Sequence, residues 1–87
     1  MKWSVILSRQ AIKDVKNIKR AGLVSKTKEL LQVLAADPFA NSPRYETLVG
    51  NLKGFYSRRI NIKHRLVYTV DVEHHTVHVL RMWTHYE

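Results

Sequence analysis

Gly54-Phe55-Tyr56-Ser57-Arg58-Arg59-Ile60 is followed three residues later by His64-Arg65-Leu66-Val67-Tyr68, and Thr76 to Trp83 completes the run. Valine, tyrosine, phenylalanine, threonine and tryptophan dominate these segments, the residue types that fit a pleated, half-buried surface. Three strands are therefore predicted, Phe55 to Ile60, His64 to Val70 and Thr76 to Trp83. Their turns fall near Asn61-Ile62-Lys63 and Glu73-His74-His75. Strands consecutive in sequence pair most simply as an antiparallel meander.

Upstream, Lys2 to Leu7 reads as a short first strand. Ser8 is a helix N-cap, because its hydroxyl can accept a first-turn N–H. Ala11, Ile12, Val15 and Ile18 then recur at helical spacing, with Lys13, Lys16, Lys19 and Arg20 on the other side, and Gly22 is the stop. Leu23, Val24, Thr27, Leu30, Leu31 and Leu34 form the apolar face of a second helix. Asp37-Pro38 ends it, since the residue before proline is pushed out of the helical region. Two basic helices in an antiparallel pair are expected, joined near Ala21-Gly22. Residues 37–54 hold both prolines and two of the three glycines and read as a long irregular connection, a kind of segment that often carries function. The fold class is α+β, in the order β-α-α-β-β-β. It is a small antiparallel twisted sheet with two helices packed on one side.

At 87 residues the chain has room for one domain, residues 1–87, and 45% hydrophobic residues suffice for one modest core. It has no cysteine, which excludes disulfides and thiolate metal sites. No run approaches the ~20 apolar residues needed to cross a membrane, and the N-terminus lacks the features of a signal peptide. A cytoplasmic protein without a membrane partner is expected. Fifteen Lys+Arg against seven Asp+Glu give a net charge of +8. Such a surplus points to a polyanionic partner, either nucleic acid or an acidic protein.

Alternation places Ser57 and Arg59 on one face of their strand and Arg65, Val67 and Thr69 on one face of the next, so Arg59 and Arg65 can converge. The plainer alternative is that Arg58, Arg59, Arg65 and Arg81 solvate an exposed sheet face. Glu46 precedes this block. Beside arginines its carboxyl stays ionised at neutral pH and can act as a base. His85 and Tyr86 follow the last strand; a histidine titrates near neutrality, and a tyrosine can bond a phosphate or stack on a base. These side-chain types suit RNA cleavage by the substrate's own 2′-hydroxyl. A base takes its proton, cations stabilise the phosphorane, and an acid protonates the leaving oxygen. No metal and no cofactor is expected, since no histidine spacing resembles a zinc site.

Residues 54–60, His64 to Tyr68 and the terminal His85-Tyr86 resemble the Txe/YoeB family of bacterial toxins, within the wider RelE/ParE group of toxin–antitoxin systems. Pro38-Phe39-Ala40, Glu46-Thr47-Leu48 and Asn51-Leu52-x-Gly54 are similar to its pattern as well. The resemblance implies an endoribonuclease that cuts mRNA in the A site of the 70S ribosome and so inhibits translation. It also implies a cognate acidic antitoxin of the YefM/Phd/Axe type, and often a homodimer. Carried over by position, Glu46 would be the general base, Arg65 would stabilise the scissile phosphate with help from Arg59, His85 would be the general acid and Tyr86 would orient the phosphate or base.

The chain departs from the pattern at Val49, where the family often has lysine, at Lys63, where an acidic residue is common, and in lacking an aromatic pair on the first helix. It also continues to Glu87. Arg44 or Lys53 would replace the missing lysine's charge, and Arg58 would join Arg59 in binding the RNA phosphates. Two other classes remain as alternatives: a non-nuclease toxin acting on DNA gyrase, as in the ParE branch, and a non-catalytic basic RNA-binding module.

Overall fold

A computed structural model describes residues 3–41, 44–48 and 54–84. The elements are β1 (Ser4–Leu7), α1 (Arg9–Arg20), α2 (Val24–Ala36), β2 (Tyr45–Thr47), β3 (Tyr56–Arg59), β4 (Arg65–Asp71) and β5 (Thr76–Thr84). Ser8 caps α1 as expected: its Oγ accepts from the Ala11 N–H at 3.0 Å and donates to the Leu80 carbonyl at 2.7 Å. One side chain thus starts the helix and ties it to β5. Lys19 and Arg20 lie in the last turn of α1, where the helix dipole favours cations. Gly22 takes φ +72°, a left-handed conformation that glycine adopts without a Cβ penalty, and the chain passes there into α2.

The strands form one five-stranded sheet in the order β1-β5-β4-β3-β2. β3, β4 and β5 are antiparallel, as the meander predicts, and β2 pairs antiparallel with β3, but β1 runs parallel to β5, so the sheet is mixed. The reason is the crossover: α1 and α2 separate β1 from the meander, so β1 has no tight turn to set its direction. It docks at the free edge of β5, with Val5 opposite Val77 and Leu7 opposite Val79.

A second difference concerns the connection between α2 and β3. It contains a strand, β2, where an irregular segment was expected. Tyr45 and Thr47 are good strand residues, and pairing with β3 gives this stretch a ladder (Tyr45↔Arg58, Glu46↔Ser57, Thr47↔Tyr56).

The core lies between the helices and one face of the sheet. Ala11 and Ile18 of α1 and Leu30 and Leu34 of α2 meet Leu66, Tyr68, Val77, Val79 and Met82. The β4–β5 register slips twice, between Arg65 and Val67 and again between Val67 and Tyr68, and the extra residues lie on β5. These bulges let Val79 and Met82, three positions apart, both point into the core, while Arg81 between them is exposed.

Ile12, expected on the inner face of α1, is instead 59% exposed, and Asp14 is buried. At 100° per residue, Ala11, Asp14, Val15 and Ile18 share a stripe that leaves Ile12 to one side. Asp14 accepts from the Met82 N–H and from Gln10 Nε2, each at 2.9 Å, which satisfies a backbone donor where the bulged ladder has lost its partner. Asp14→Ala is expected to lower unfolding stability by about 2 kcal/mol, the cost of an unsatisfied buried donor. Asp14→Asn keeps an acceptor oxygen and should cost clearly less. Urea midpoints for the two variants check this, and equal losses would remove the hydrogen bond as the cause.

Candidate active site

Strand β2 decides the site. It turns Glu46 from a loop residue into one with a fixed register, directly opposite Ser57 on β3. Ser57 in turn faces Val67 on β4, and Arg59 faces Arg65. The alternation that puts Leu66 and Tyr68 into the core therefore puts Glu46, Ser57, Arg59 and Arg65 on the opposite face of the sheet. Arg65 Nη1 donates to Glu46 Oε1 in an ion pair and to Ser57 Oγ at 3.1 Å. Ser57 is fully buried, so its hydroxyl is a rigid rest for the Arg65 guanidinium, whose side chain is itself only 17% exposed.

A groove of about 590 Å³ opens over this face. Lys26, Arg44, Glu46, Ser57, Arg59 and Arg65 line it, and residues 60–62 form a rim. Its walls carry four cations, Lys26, Arg44, Arg59 and Arg65, against one carboxylate, Glu46. Like charges directly opposite on neighbouring strands, as at Arg59 and Arg65, are destabilising by themselves and suit a surface that receives an anion. The Glu46 carboxyl is held below its ordinary pKa. The hydrogen bond from Arg65 is the main cause and the Arg65 charge the next; partial burial opposes them, and Arg59 and Arg44 reinforce them. Glu46 is therefore ionised at neutral pH and can take up a proton.

Beyond the groove, His64 stacks on Trp83 with ring centroids 3.6 Å apart and an angle of 14°. This contact fixes the start of β4 against the end of β5, where Thr84 is paired with Arg65. His85 and Tyr86 follow Thr84 in the chain. They and Lys53 lie outside the described residues, as do Val49 and Glu87.

Arg58 corrects the sequence-based expectation. Expected to bind RNA beside Arg59, it is fully buried on the helix side of the sheet. Its Nε donates to the Tyr68 hydroxyl at 3.1 Å, and its Nη2 donates to the carbonyls of Pro38 (2.9 Å) and Ala40 (2.8 Å). Its guanidinium lies 5.2 Å from the centre of the Tyr45 ring. Tyr68 donates in turn to the Pro38 carbonyl at 3.0 Å, and burial raises its phenol pKa, which keeps that donor protonated. Strand alternation separates Arg58 from its neighbours: Ser57 and Arg59 face the groove, and Arg58 pins the segment that leads into β2.

Three features of the groove escape sequence reading. Lys26 comes from α2 and has no local signal. Ser57 shares a face with Arg59 by alternation, but its role as a rest for Arg65 needs the third strand. Ile60 reads as the end of a strand, and Asn61 and Ile62 only as part of a turn.

The chain matches a family described as the YoeB-like toxin of bacterial type II toxin–antitoxin systems over residues 8–86. Toxin YoeB of Synechocystis sp. is 46% identical over 57 residues, which cover 66% of this chain and 59% of that protein. Toxin YoeB of Escherichia coli strain K12 is 46% identical over 48 residues, 55% of this chain and 57% of that one. These alignments take in just over half of the curated relatives' length. Likeness in structure runs further. A YoeB/ParE toxin from Agrobacterium tumefaciens is similar with a TM-score of 0.84 and 29% identity, covering 95% of this chain and 99% of that one. A chain of a YoeB–YefM complex from Staphylococcus aureus is similar with a TM-score of 0.77 and 36% identity, covering 99% of this chain and 100% of that one. With its mixed sheet, two helices and a match along nearly its whole length, the chain belongs to the YoeB-like family of toxins of bacterial type II toxin–antitoxin systems.

Proposed function

We propose that this toxin is an endoribonuclease that cuts mRNA in the ribosomal A site and so stops translation. The observation that carries the reading is the groove itself: a single ionised carboxylate, Glu46, set among Lys26, Arg44, Arg59 and Arg65. Glu46 takes the proton of the 2′-hydroxyl. Arg65, held on Ser57 Oγ, stabilises the charge that develops on the phosphorane, and Arg59 opposite it shares that role. Arg44 and Lys26 hold flanking phosphates. His85 donates the proton to the 5′-leaving oxygen, and Tyr86 orients the phosphate or base. In the resting state Arg65 occupies the Glu46 carboxylate. An incoming phosphate competes for the same guanidinium, and its arrival leaves Glu46 less stabilised as an anion and more basic.

The net charge of +8 suits both ribosomal RNA and an acidic inhibitor. A YefM-like antitoxin is the expected partner, since the similar Staphylococcus aureus toxin forms a complex with YefM. A homodimer is expected on the same footing, because a YoeB dimer from that organism has the same fold at a TM-score of 0.73.

Primer extension on an mRNA in a reconstituted translation system tests the reading. Wild-type protein is expected to produce new 5′ ends within A-site codons. Glu46→Gln and His85→Ala should each reduce them about 10²–10⁴-fold while ribosome binding is unchanged. Intact message with translation unaffected would sink the nuclease reading in favour of a gyrase-directed or binding-only protein. Cleavage that survives His85→Ala would remove that residue from the mechanism.

A further inference from the structure

Ile62 is the most exposed large hydrophobic side chain among the described residues, at 85%, and it sits on the rim of the cationic groove. Single exposed hydrophobics are ordinary on protein surfaces, so exposure alone says little. Two further observations set this one apart. The turn that presents it is rigid: Asn61 Oδ1 accepts from the N–H groups of Lys63 (2.9 Å) and His64 (2.7 Å), and the Ile60 N–H donates to the His64 carbonyl at 2.8 Å. Both flanks are anchored, since Ile60 is only 3% exposed and His64 is stacked on Trp83. The second observation is its company. Arg59, Arg65, Arg44 and Lys26 line the same groove. A fixed apolar surface beside phosphate-binding cations matches the two halves of a nucleotide, an anionic phosphate and a flat, weakly hydrated base.

We infer that Ile62 is the base-contacting element of this groove, and that a nucleobase next to the phosphate held by Arg59 and Arg65 packs on it. The inference rests on the RNA reading above. It makes the Asn61–Lys63 turn a determinant of base preference, whereas the arginines bind any sequence through its backbone.

Two short 2′-fluoro RNA tetranucleotides, which lack the attacking hydroxyl, separate the two contributions. One carries all its bases and the other is abasic at its two central positions. Ile62→Ala is expected to weaken binding of the first about tenfold, as befits partial burial of one aliphatic side chain, and to leave the abasic probe unchanged. Ile62→Phe should restore or tighten binding to the base-bearing probe, because a ring stacks on any base. The side chain is exposed, so neither variant threatens the fold. An equal loss on both probes, or no loss on either, would overturn the inference. So would weaker binding of an acidic peptide with both oligonucleotides unaffected, which would give Ile62 to a protein partner. Binding of neither tetranucleotide by the wild-type toxin at low salt would overturn this inference and leave the ribosome-dependent reading to the primer-extension test.

Discussion

Replacing Arg58 by methionine is expected to destabilise the protein by about 2–3 kcal/mol, a large share of the roughly 5–15 kcal/mol that holds a small domain together. The guanidinium is buried and donates to the Pro38 and Ala40 carbonyls and to the Tyr68 hydroxyl. Methionine matches much of its volume but takes the donor from the Ala40 carbonyl and one of two donors from the Pro38 carbonyl, which keeps the Tyr68 hydroxyl; a buried group left unsatisfied costs roughly 1–3 kcal/mol. It also removes the cation from between the Tyr45 and Tyr68 rings. Arg59→Met, one residue along and on the exposed face, should change stability by no more than about 0.5 kcal/mol. Urea denaturation of the two variants side by side is the check. A cost below 1 kcal/mol at Arg58 would show that the 38–40 segment is held by other contacts. Because that segment leads into β2, a destabilised Arg58 variant should also lose the register that sets Glu46 opposite Ser57.

Arg65→Lys should cut RNA cleavage about 10²–10³-fold and shift its pH dependence. Lysine keeps the charge but loses the planar fork that bonds Glu46 and Ser57 together and can grip a phosphate with two N–H groups. The sign of the pH effect follows from the Glu46 carboxyl, which the Arg65 hydrogen bond holds below its ordinary pKa. A lowered pKa keeps the base form present down to unusually low pH, and activity is lost as pH falls through that value. Without the guanidinium hydrogen bond the Glu46 pKa rises, so the acid limb of the cleavage profile moves to higher pH. Arg65→Ala, which removes the charge as well, should move it further. An acid limb that stays in place in both variants would mean that another group controls it. The same pair adds little to stability, because the Glu46 side chain is half exposed and water screens its charge.

Local pattern determined a good deal here. Strand periodicity placed β3, β4 and β5 and their turns, the Ser8 cap started α1, and Pro38 ended α2. Alternation along two adjacent strands brought Arg59 and Arg65 to one surface, and their observed register bears this out. These features were legible because each depends on residues within a few positions of one another, where backbone sterics, capping and side-chain period act.

Tertiary structure alone decided the rest. The parallel docking of β1 depends on the crossover of two helices and on an edge left open by β5. The three-residue β2 is too short to signal itself and exists because β3 offers it a ladder; it converts Glu46 from a loop carboxylate into a positioned one. Bulges in β5 broke the alternation, so Met82 faces the core and Arg81 the solvent. Asp14 is buried because a backbone N–H on a strand 68 residues away lacks a partner. Arg58 and Arg59 are adjacent cations of the same type. One became a buried staple and the other part of the groove, because a pleated strand turns neighbours to opposite faces and only the packed helices determine which face is dry.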